Sequence, residues 1–345
     1  MQLVGAVGDD VPSHYGDPMR EQRSLADGKS LVDCSHHGVI ALLGADRLTW
    51  LDSITSNVFA GIAPGDTREG LVLDPQGRIE HQFFLADDGE QSWLLVEPLR
   101  VAALTTWLDS MRFRMDVRLD DQSQQWAVVA GTLDAVSRLN RGAVVWRDPW
   151  PGVQPGGAAY SASKHPGDDW NLAYVAIPRA ELSESLSNEW SGFDALEALQ
   201  VRAGRPTVAD VDEKALPHEL DWLRTAVHLN KGCYRGQETV AKVHNLGQPP
   251  RRVVLLHLDG SQPVLPQPGT AVTLDEGSVG RVTRAVRHYE WGQVAMAVIK
   301  RTVSPDAMLT VIVDGEAVNA SQELLVLPES GATRREALAA RRSGA

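Results

Sequence analysis

The sequence predicts an α+β protein that ends in a small all-β barrel. Before about residue 250, apolar runs typical of strands are interspersed with runs at helical spacing. After that point only short strand-like runs remain, and turns separate them at intervals of about 8 to 12 residues. The length of 345 residues and the hydrophobic content of 43% suit two or three globular domains.

The first pair of elements is a strand followed by a helix. Residues 39–43 form an apolar run that ends in a Gly-Ala-Asp turn, and residues 47–54 repeat apolar side chains along one helical side. Residues 55–58 follow, and they include Ser56 and Asn57, two residue types that often end helices and form turns.

An α+β unit is predicted to be inserted after this pair. A Pro-Gln-Gly turn separates two strand-like runs, and Pro98 suits the first turn of a helix. The predicted elements are strands at 67–73, 78–85, 92–97 and 113–119, and a helix from residue 98 to about residue 110.

The chain then returns to the first domain and continues into the barrel. The predicted elements before the barrel are strands at 125–130, 143–146 and 171–177, a helix opened by Pro178, and a helix at 193–203 that stops at Gly204 and Pro206. The predicted barrel strands are 252–258, 270–274, 280–286, 293–298, 309–313 and 323–327. Residues 1–27 and 329–345 lack an apolar periodicity, and we expect flexible termini there.

Reactive chemistry is concentrated in the sequence Lys-Gly-Cys-Tyr-Arg-Gly-Gln-Glu at 231–238. It places Cys233 between Lys231 and Arg235, and a nearby positive charge favours a thiolate over a thiol. The two glycines allow a tight backbone path beside the cysteine. The other members of this candidate catalytic set are Tyr234, Gln237 and Glu238. A structural loop with a small buried cysteine is the alternative, because free cysteines are among the most buried residues.

A strand is predicted to leave this motif at residues 239–243, and His244 follows it. His244 is a candidate proton carrier for Cys233. A packing or surface role is the alternative, because histidine serves many functions in proteins.

Charge and cysteine content argue against several classes of protein. A net charge of −12 opposes general binding of nucleic acids, whose phosphates attract cations. No apolar run approaches the roughly 18 residues of a membrane helix, and we expect neither a membrane contact nor a secretory leader. The two cysteines, Cys34 and Cys233, suit a reduced cytoplasmic setting, and they are too few for a cysteine-only iron–sulfur cluster, which needs about four thiolates. We predict no metal site.

The run from Lys231 to Lys242, with Gly247 and the pair Arg251-Arg252, closely resembles the signature of the YgfZ family of folate-binding proteins. The resemblance places the chain in the aminomethyltransferase (GcvT-like) superfamily. It implies a GcvT-like multidomain fold, with ferredoxin-like α+β domains around a central channel and a C-terminal β-barrel. The implied domains are a split first domain at 28–60 and 125–247, an inserted domain at 61–124, and the barrel at 248–328.

The resemblance also implies a function. The YgfZ family is associated with the assembly or repair of iron–sulfur clusters and with tRNA modification, so the implied partners are a folate and iron–sulfur client or assembly proteins. Tetrahydrofolate or a derivative is the implied cofactor. The implied folate contacts are His37, which aligns with a tryptophan of the enterobacterial protein, Asn57 and Arg202.

Two positions depart from the T-protein, the aminomethyltransferase of the glycine cleavage system. Glu80 and His81 stand where the T-protein has an Asp-Asp pair, and adjacent strand residues point to opposite faces. Arg202 replaces a glutamate that helps to hold the pterin, and it would either meet the glutamyl tail of folate or lie exposed. An accessory factor is therefore favoured over the alternatives, a tetrahydrofolate-dependent one-carbon transferase such as an aminomethyltransferase, or a thiol-dependent enzyme of another kind.

Overall fold

The computed structural model describes residues 11–98, 100–139, 145–161, 164–182 and 189–331. The chain divides into two compact units. The first unit comprises Met1–Val72, His81–Pro151 and Asp169–Leu199, and the second comprises Leu73–Glu80, Gly152–Asp168 and Gln200–Ala345. The domain boundaries expected from the sequence remain a prediction. In the described residues, no helix is long and apolar enough to span a bilayer.

One sheet of the first unit is built around β1 (Ser30–Asp33). The order is β10-β1-β7-β9-β8, and β1 runs parallel to β10 and antiparallel to β7. The other elements of this layer are β7 (Trp126–Thr132), α4 (Leu133–Ser137), β8 (Val145–Arg147), β9 (Leu172–Pro178) and β10 (Glu189–Ser191). Apolar side chains from these strands and α4 form one core, in which Val129, Val136 and Val175 are fully buried.

The N-terminal segment differs from the flexible arm expected at residues 1–27. Helix α1 (Pro18–Ala26) begins at the N-cap Asp17, whose side chain accepts a hydrogen bond from the Arg20 backbone N–H. The buried Glu21 accepts a hydrogen bond of 2.8 Å from the Gly192 N–H, which fixes this helix in the first unit. Residues 1–10 lie outside the described residues.

The second sheet of the first unit has the order β3-β4-β5-β2-β6. Its elements are β2 (Gly38–Leu43), α2 (Arg47–Ile54), β3 (Thr67–Leu73), β4 (Ile79–Asp87), β5 (Ser92–Val96), α3 (Val101–Ser110) and β6 (Arg118–Asp121). The strand predicted at 113–119 is wrong at residues 113–117, because β6 begins at Arg118. Phe113 has a positive φ of 48° and lies exposed in a turn, because the chain must reverse after α3 before it pairs with β2.

The second unit contains a closed six-stranded barrel with the order β11-β14-β13-β12-β15-β16, which confirms the predicted C-terminal barrel. Its strands are β11 (Arg251–Leu258), β12 (Ala271–Leu274), β13 (Gly277–His288), β14 (Gly292–Lys300), β15 (Leu309–Val313) and β16 (Glu316–Leu324). The last strand lies earlier than the predicted 323–327, because β16 follows β15 through a tight turn and buries Val318 and Ala320. Residues 332–345 lie outside the described residues.

The last two α-helices of the described residues come before the barrel in sequence. Helix α5 (Phe193–Arg202) agrees with the prediction. Helix α6 (Gln237–Leu246) replaces the strand predicted at 239–243. The β-branched residues of this segment favour a strand. The helix forms instead: its N-cap, Gly236, has a left-handed backbone with a φ of 83°, and the helix buries Val240.

Candidate functional site

The motif at 231–238 forms a loop that leads into α6. Cys233 is exposed, and a Cβ added to Gly232 would meet no heavy atom within 4 Å. The alternative of a buried structural cysteine is therefore wrong. Solvent reaches the sulfur, which a thiol needs in order to act as a nucleophile or as a metal ligand.

The residues beside Cys233 are fixed by packing. The Tyr234 ring is buried, and burial raises the pKa of its phenol above the ordinary value, so the phenol is neutral at pH 7. The Lys231 ammonium lies 5.3 Å from the centre of that ring, within the range of a cation–π contact. Gln237 closes the loop, because its Nε2 donates a 3.3 Å hydrogen bond to the Lys231 carbonyl. Glu238 is exposed in the first turn of α6.

The hairpin between β3 and β4 meets the end of the loop. Two guanidinium nitrogens of Arg235 donate to the two carboxylate oxygens of Glu80, at 2.6 and 3.3 Å. Gly236 packs so tightly that an added Cβ would lie 2.5 Å from the Asp74 carbonyl oxygen. An added Cβ at Gly77 would lie 2.9 Å from Cβ of Thr239. Glu80, which stands where the T-protein has one residue of its Asp-Asp pair, is thus an ion-pair partner of the motif.

The far end of α6 is fixed by buried rings. The His244 Nδ1 lies 3.0 Å from the Tyr160 hydroxyl, and the His218 Nε2 lies 3.1 Å from the Val240 carbonyl. Burial lowers the pKa of His218 to about 3, so this ring is neutral at pH 7. His244 is seven residues beyond the start of α6, about 10 Å along the helix axis. The contact with Tyr160 gives His244 a packing role, and the role of proton carrier for Cys233 stays a prediction.

A buried ion pair that the sequence did not indicate, Asp221 with Arg224, precedes the loop in the chain. Asp221 has a left-handed backbone, and its carboxylate accepts a 2.9 Å hydrogen bond from the Arg224 Nε and a 2.5 Å hydrogen bond from the Tyr160 N–H. Burial raises the pKa of Asp221 to about 6, and the charge of Arg224 opposes the rise. The Leu229 N–H donates to the Gly156 carbonyl at 2.7 Å, which ties the start of the loop to the same segment.

The predicted folate contact His37 lies inside the first unit. Its ring centre is 6.2 Å from that of Tyr174 and 4.7 Å from that of His36. Burial, and then the neighbouring His36, lower the pKa of His37 to about 3. The ring is therefore neutral at pH 7, and it is buried, with 5% of its surface exposed.

Asn57 belongs to a buried polar group of the same unit. Its amide donates a 2.7 Å hydrogen bond to the Glu69 carbonyl, and Gln82 donates a 3.0 Å hydrogen bond to the Glu69 carboxylate. Glu69 and Gln82 are both buried, and the sequence interpretation missed them. The sequence pattern could have predicted the burial of Glu69, because strand alternation puts it on the same face of β3 as Leu71 and Leu73.

The predicted contact Arg202 lies in the second unit, at the end of α5. Its guanidinium carbon is 4.9 Å from the centre of the Trp291 ring, and its Nη1 donates to the Pro166 carbonyl at 2.9 Å. Burial, and then the charge of Arg202, lower the pKa of His288 to about 4. Arg202 is therefore held in place and is not the exposed helix residue of the alternative interpretation.

The other member of the Glu80-His81 pair is in a different environment. His81 is partly buried, and burial followed by the charge of Arg100 lowers its pKa to about 4. Throughout the described ranges, no group of three or more His, Cys, Asp or Glu residues is arranged to hold a metal ion.

Comparisons with known proteins agree with this architecture. Residues 6–131 match the model of the GCVT N-terminal domain. A chloroplastic protein of Arabidopsis thaliana that carries a transferase name is 25% identical over 311 residues, which cover 81% of this chain and 67% of that protein. The aminomethyltransferase of Thermotoga neapolitana is 22% identical over 340 residues, which cover 92% of each chain. A mitochondrial iron–sulfur cluster assembly factor IBA57 homologue of Mycosarcoma maydis is 24% identical over 254 residues, which cover 68% of this chain and 59% of that protein.

A solved structure shares the fold. The aminomethyltransferase T of the glycine cleavage system of Bartonella henselae has a TM-score of 0.75 and 19% identity, with 94% of each chain covered. Its similarity confirms the predicted fold class, with mixed sheets and a closed six-stranded barrel. The domain match and these relatives show that the chain is similar to proteins of the GcvT-like superfamily, and the solved structure shows a shared fold.

Proposed function

We propose that this chain is a folate-binding protein of the YgfZ type that assists the assembly or repair of iron–sulfur clusters in client enzymes. The observation that carries the proposal is the exposed Cys233, presented on a loop whose neighbouring residues are fixed. The similarity to an iron–sulfur cluster assembly factor supports the same class of function. The resemblance of the motif to the YgfZ signature supports that branch of the superfamily.

The chemistry of the proposal belongs to the thiol. Cys233 would act as a transient ligand or nucleophile toward a client or its cluster, which is cargo and not a resident cofactor. Lys231 and Arg235 would supply positive charge near the sulfur, while Tyr234, Gln237 and Glu238 hold and border the loop. The client or assembly proteins are the partners in this proposal, and the reduced cytoplasm is its setting because both cysteines are free thiols.

Folate binding is the second part of the proposal. Tetrahydrofolate or a derivative would be the cofactor, with contacts at His37, Asn57 and Arg202. The support is the GCVT domain match and the similarity to aminomethyltransferases. Contact with a pterin would require the buried ring of His37 to become accessible, and histidine offers less stacking surface than tryptophan.

A one-carbon transferase, such as an aminomethyltransferase, is the second candidate function, and the relatives of that name favour it. One observation opposes it. Glu80, which stands in the region of the acidic pair of the T-protein, forms an ion pair with Arg235 of the motif, which gives this carboxylate a structural contact.

Two assays decide between these functions. In cells that lack the native protein, expression of this chain should restore the activity of iron–sulfur enzymes. Purified protein should show no folate-dependent turnover of the aminomethylated H-protein of the glycine cleavage system. Turnover of H-protein without any rescue in cells would reject the accessory role in favour of the transferase.

A further inference from the structure

The C-terminal end of the Cys233 loop is held by contacts that differ in strength. Tyr234 is buried, and Gly236 lies against hairpin backbone with no room for a side chain, so both contacts are part of the close packing. The Glu80–Arg235 ion pair differs, because the side chains are 34% and 33% exposed and solutes can reach them. An ion pair of this exposure is readily exchanged for another charged partner.

The same ion pair balances a positive charge that is close to the thiol in sequence. Arg235 is two residues from Cys233, and Glu80 balances its charge while the pair is closed. A guanidinium matches the two oxygens of a carboxylate or phosphate with two parallel hydrogen bonds. A free Arg235 would therefore draw anionic groups toward the exposed sulfur.

We propose that Glu80 is a positioning residue that, through Arg235, holds the Cys233 loop and sets its selectivity for anionic molecules. An incoming molecule with a carboxylate or phosphate would displace Glu80. Its anionic group would then bind the Arg235 guanidinium, two residues from Cys233. This inference rests on the proposed function, since it specifies the class of ligand that the exposed thiol receives. It also gives Glu80 a role that requires no proton transfer.

The ratio of two alkylation rates tests this proposal. Iodoacetate is anionic and iodoacetamide is neutral, and mass spectrometry of the Cys233 peptide reports each rate. Glu80→Gln should raise the iodoacetate-to-iodoacetamide ratio by up to about fivefold, the upper end for an exposed ion pair. Arg235→Gln should lower the ratio, because Glu80 is then uncompensated. Both changes should fade at about 1 M salt, where charges beyond about 3 Å are screened.

Two variants serve as controls. The charge-reversed double variant Glu80→Arg/Arg235→Glu rebuilds the pair and should return the ratio to within about twofold of the wild type. Glu213→Gln removes a negative charge from an exposed residue of the same unit and should leave the ratio unchanged. Glu80→Asp keeps the charge on a shorter side chain and should give an intermediate ratio. It replaces Glu80→Gln if thermal melts show that the Gln variant is unfolded.

An unchanged ratio in the folded Glu80 variant, or a double variant that fails to restore it, would overturn the proposal. A change in ratio that persists at high salt would also overturn it, because the cause would then be altered packing. Failure of the proposed function would be seen in a different experiment, the test of Cys233→Ser in cells. If Cys233→Ser still supports iron–sulfur enzymes while the ratios shift as expected, the thiol function is rejected and the role of Glu80 stands.

Discussion

Gly236→Ala tests the contact that joins the hairpin to the Cys233 loop. An L side chain at a φ of 83° costs about 1–2 kcal/mol. The new Cβ would lie 2.5 Å from the Asp74 carbonyl oxygen and 2.9 Å from the Gly77 Cα, and these backbone atoms cannot rotate away. Repacking of this kind costs about 1–3 kcal/mol, while lower entropy of the unfolded chain returns about 0.4–1 kcal/mol. The free energy of unfolding should fall by about 3 kcal/mol.

Urea denaturation followed by tryptophan fluorescence measures this loss. Gly232→Ala is the matched control, since its added Cβ meets no atom within 4 Å and its φ is outside the left-handed region. The control should be neutral or stabilise the protein by at most about 1 kcal/mol. Equal effects of the two substitutions would refute the claim that the loop is seated on the hairpin.

The other predictions concern burial, pH and folate. Arg284→Ala should lower stability by about 3–5 kcal/mol in denaturation experiments, because it leaves the fully buried Asp210 without its partner at 2.9 Å. In the folded protein the pKa of His218 is about 3, whereas in the unfolded chain it is about 6.5. Between these two pH values the unfolded chain binds a proton at His218 and the folded protein does not. Stability should therefore fall as the pH drops from about 6.5 toward 3, and His218→Gln should flatten this slope; an equal slope in both proteins would contradict the assignment. Calorimetry with tetrahydrofolate at millimolar concentration should show saturable binding that Arg202→Ala weakens, and a titration without heat would exclude the folate site.

Elements with a strong local pattern were predictable from the sequence. The predicted strand at 39–43 and helix at 47–54 agree with Gly38–Leu43 and Arg47–Ile54. The barrel was predictable because its turns recur at short intervals. Helix α6 was not, because its β-branched residues favour a strand and its start depends on the contact of Gly236 with a distant hairpin.

The candidate site was predictable in composition but not in its contacts. The motif identified Cys233 and its two neighbouring cations, whereas the exposure of the sulfur depends on the tertiary structure. Glu80 is 155 residues from Arg235 in sequence, so the ion pair has no local signal. Helix α1 was missed for a related reason, since its anchor is the hydrogen bond between Glu21 and the distant Gly192.

The activity of an iron–sulfur enzyme in cells that carry Cys233→Ser in place of the native protein tests the central claim most directly. The substitution changes the volume little and lies at an exposed position, so thermal melts and protein levels should match the wild type. We expect enzyme activity to fall to that of cells without the protein, while Gly232→Ala retains wild-type activity. Wild-type activity with Cys233→Ser would contradict the account, because the exposed thiol would then have no part in the function.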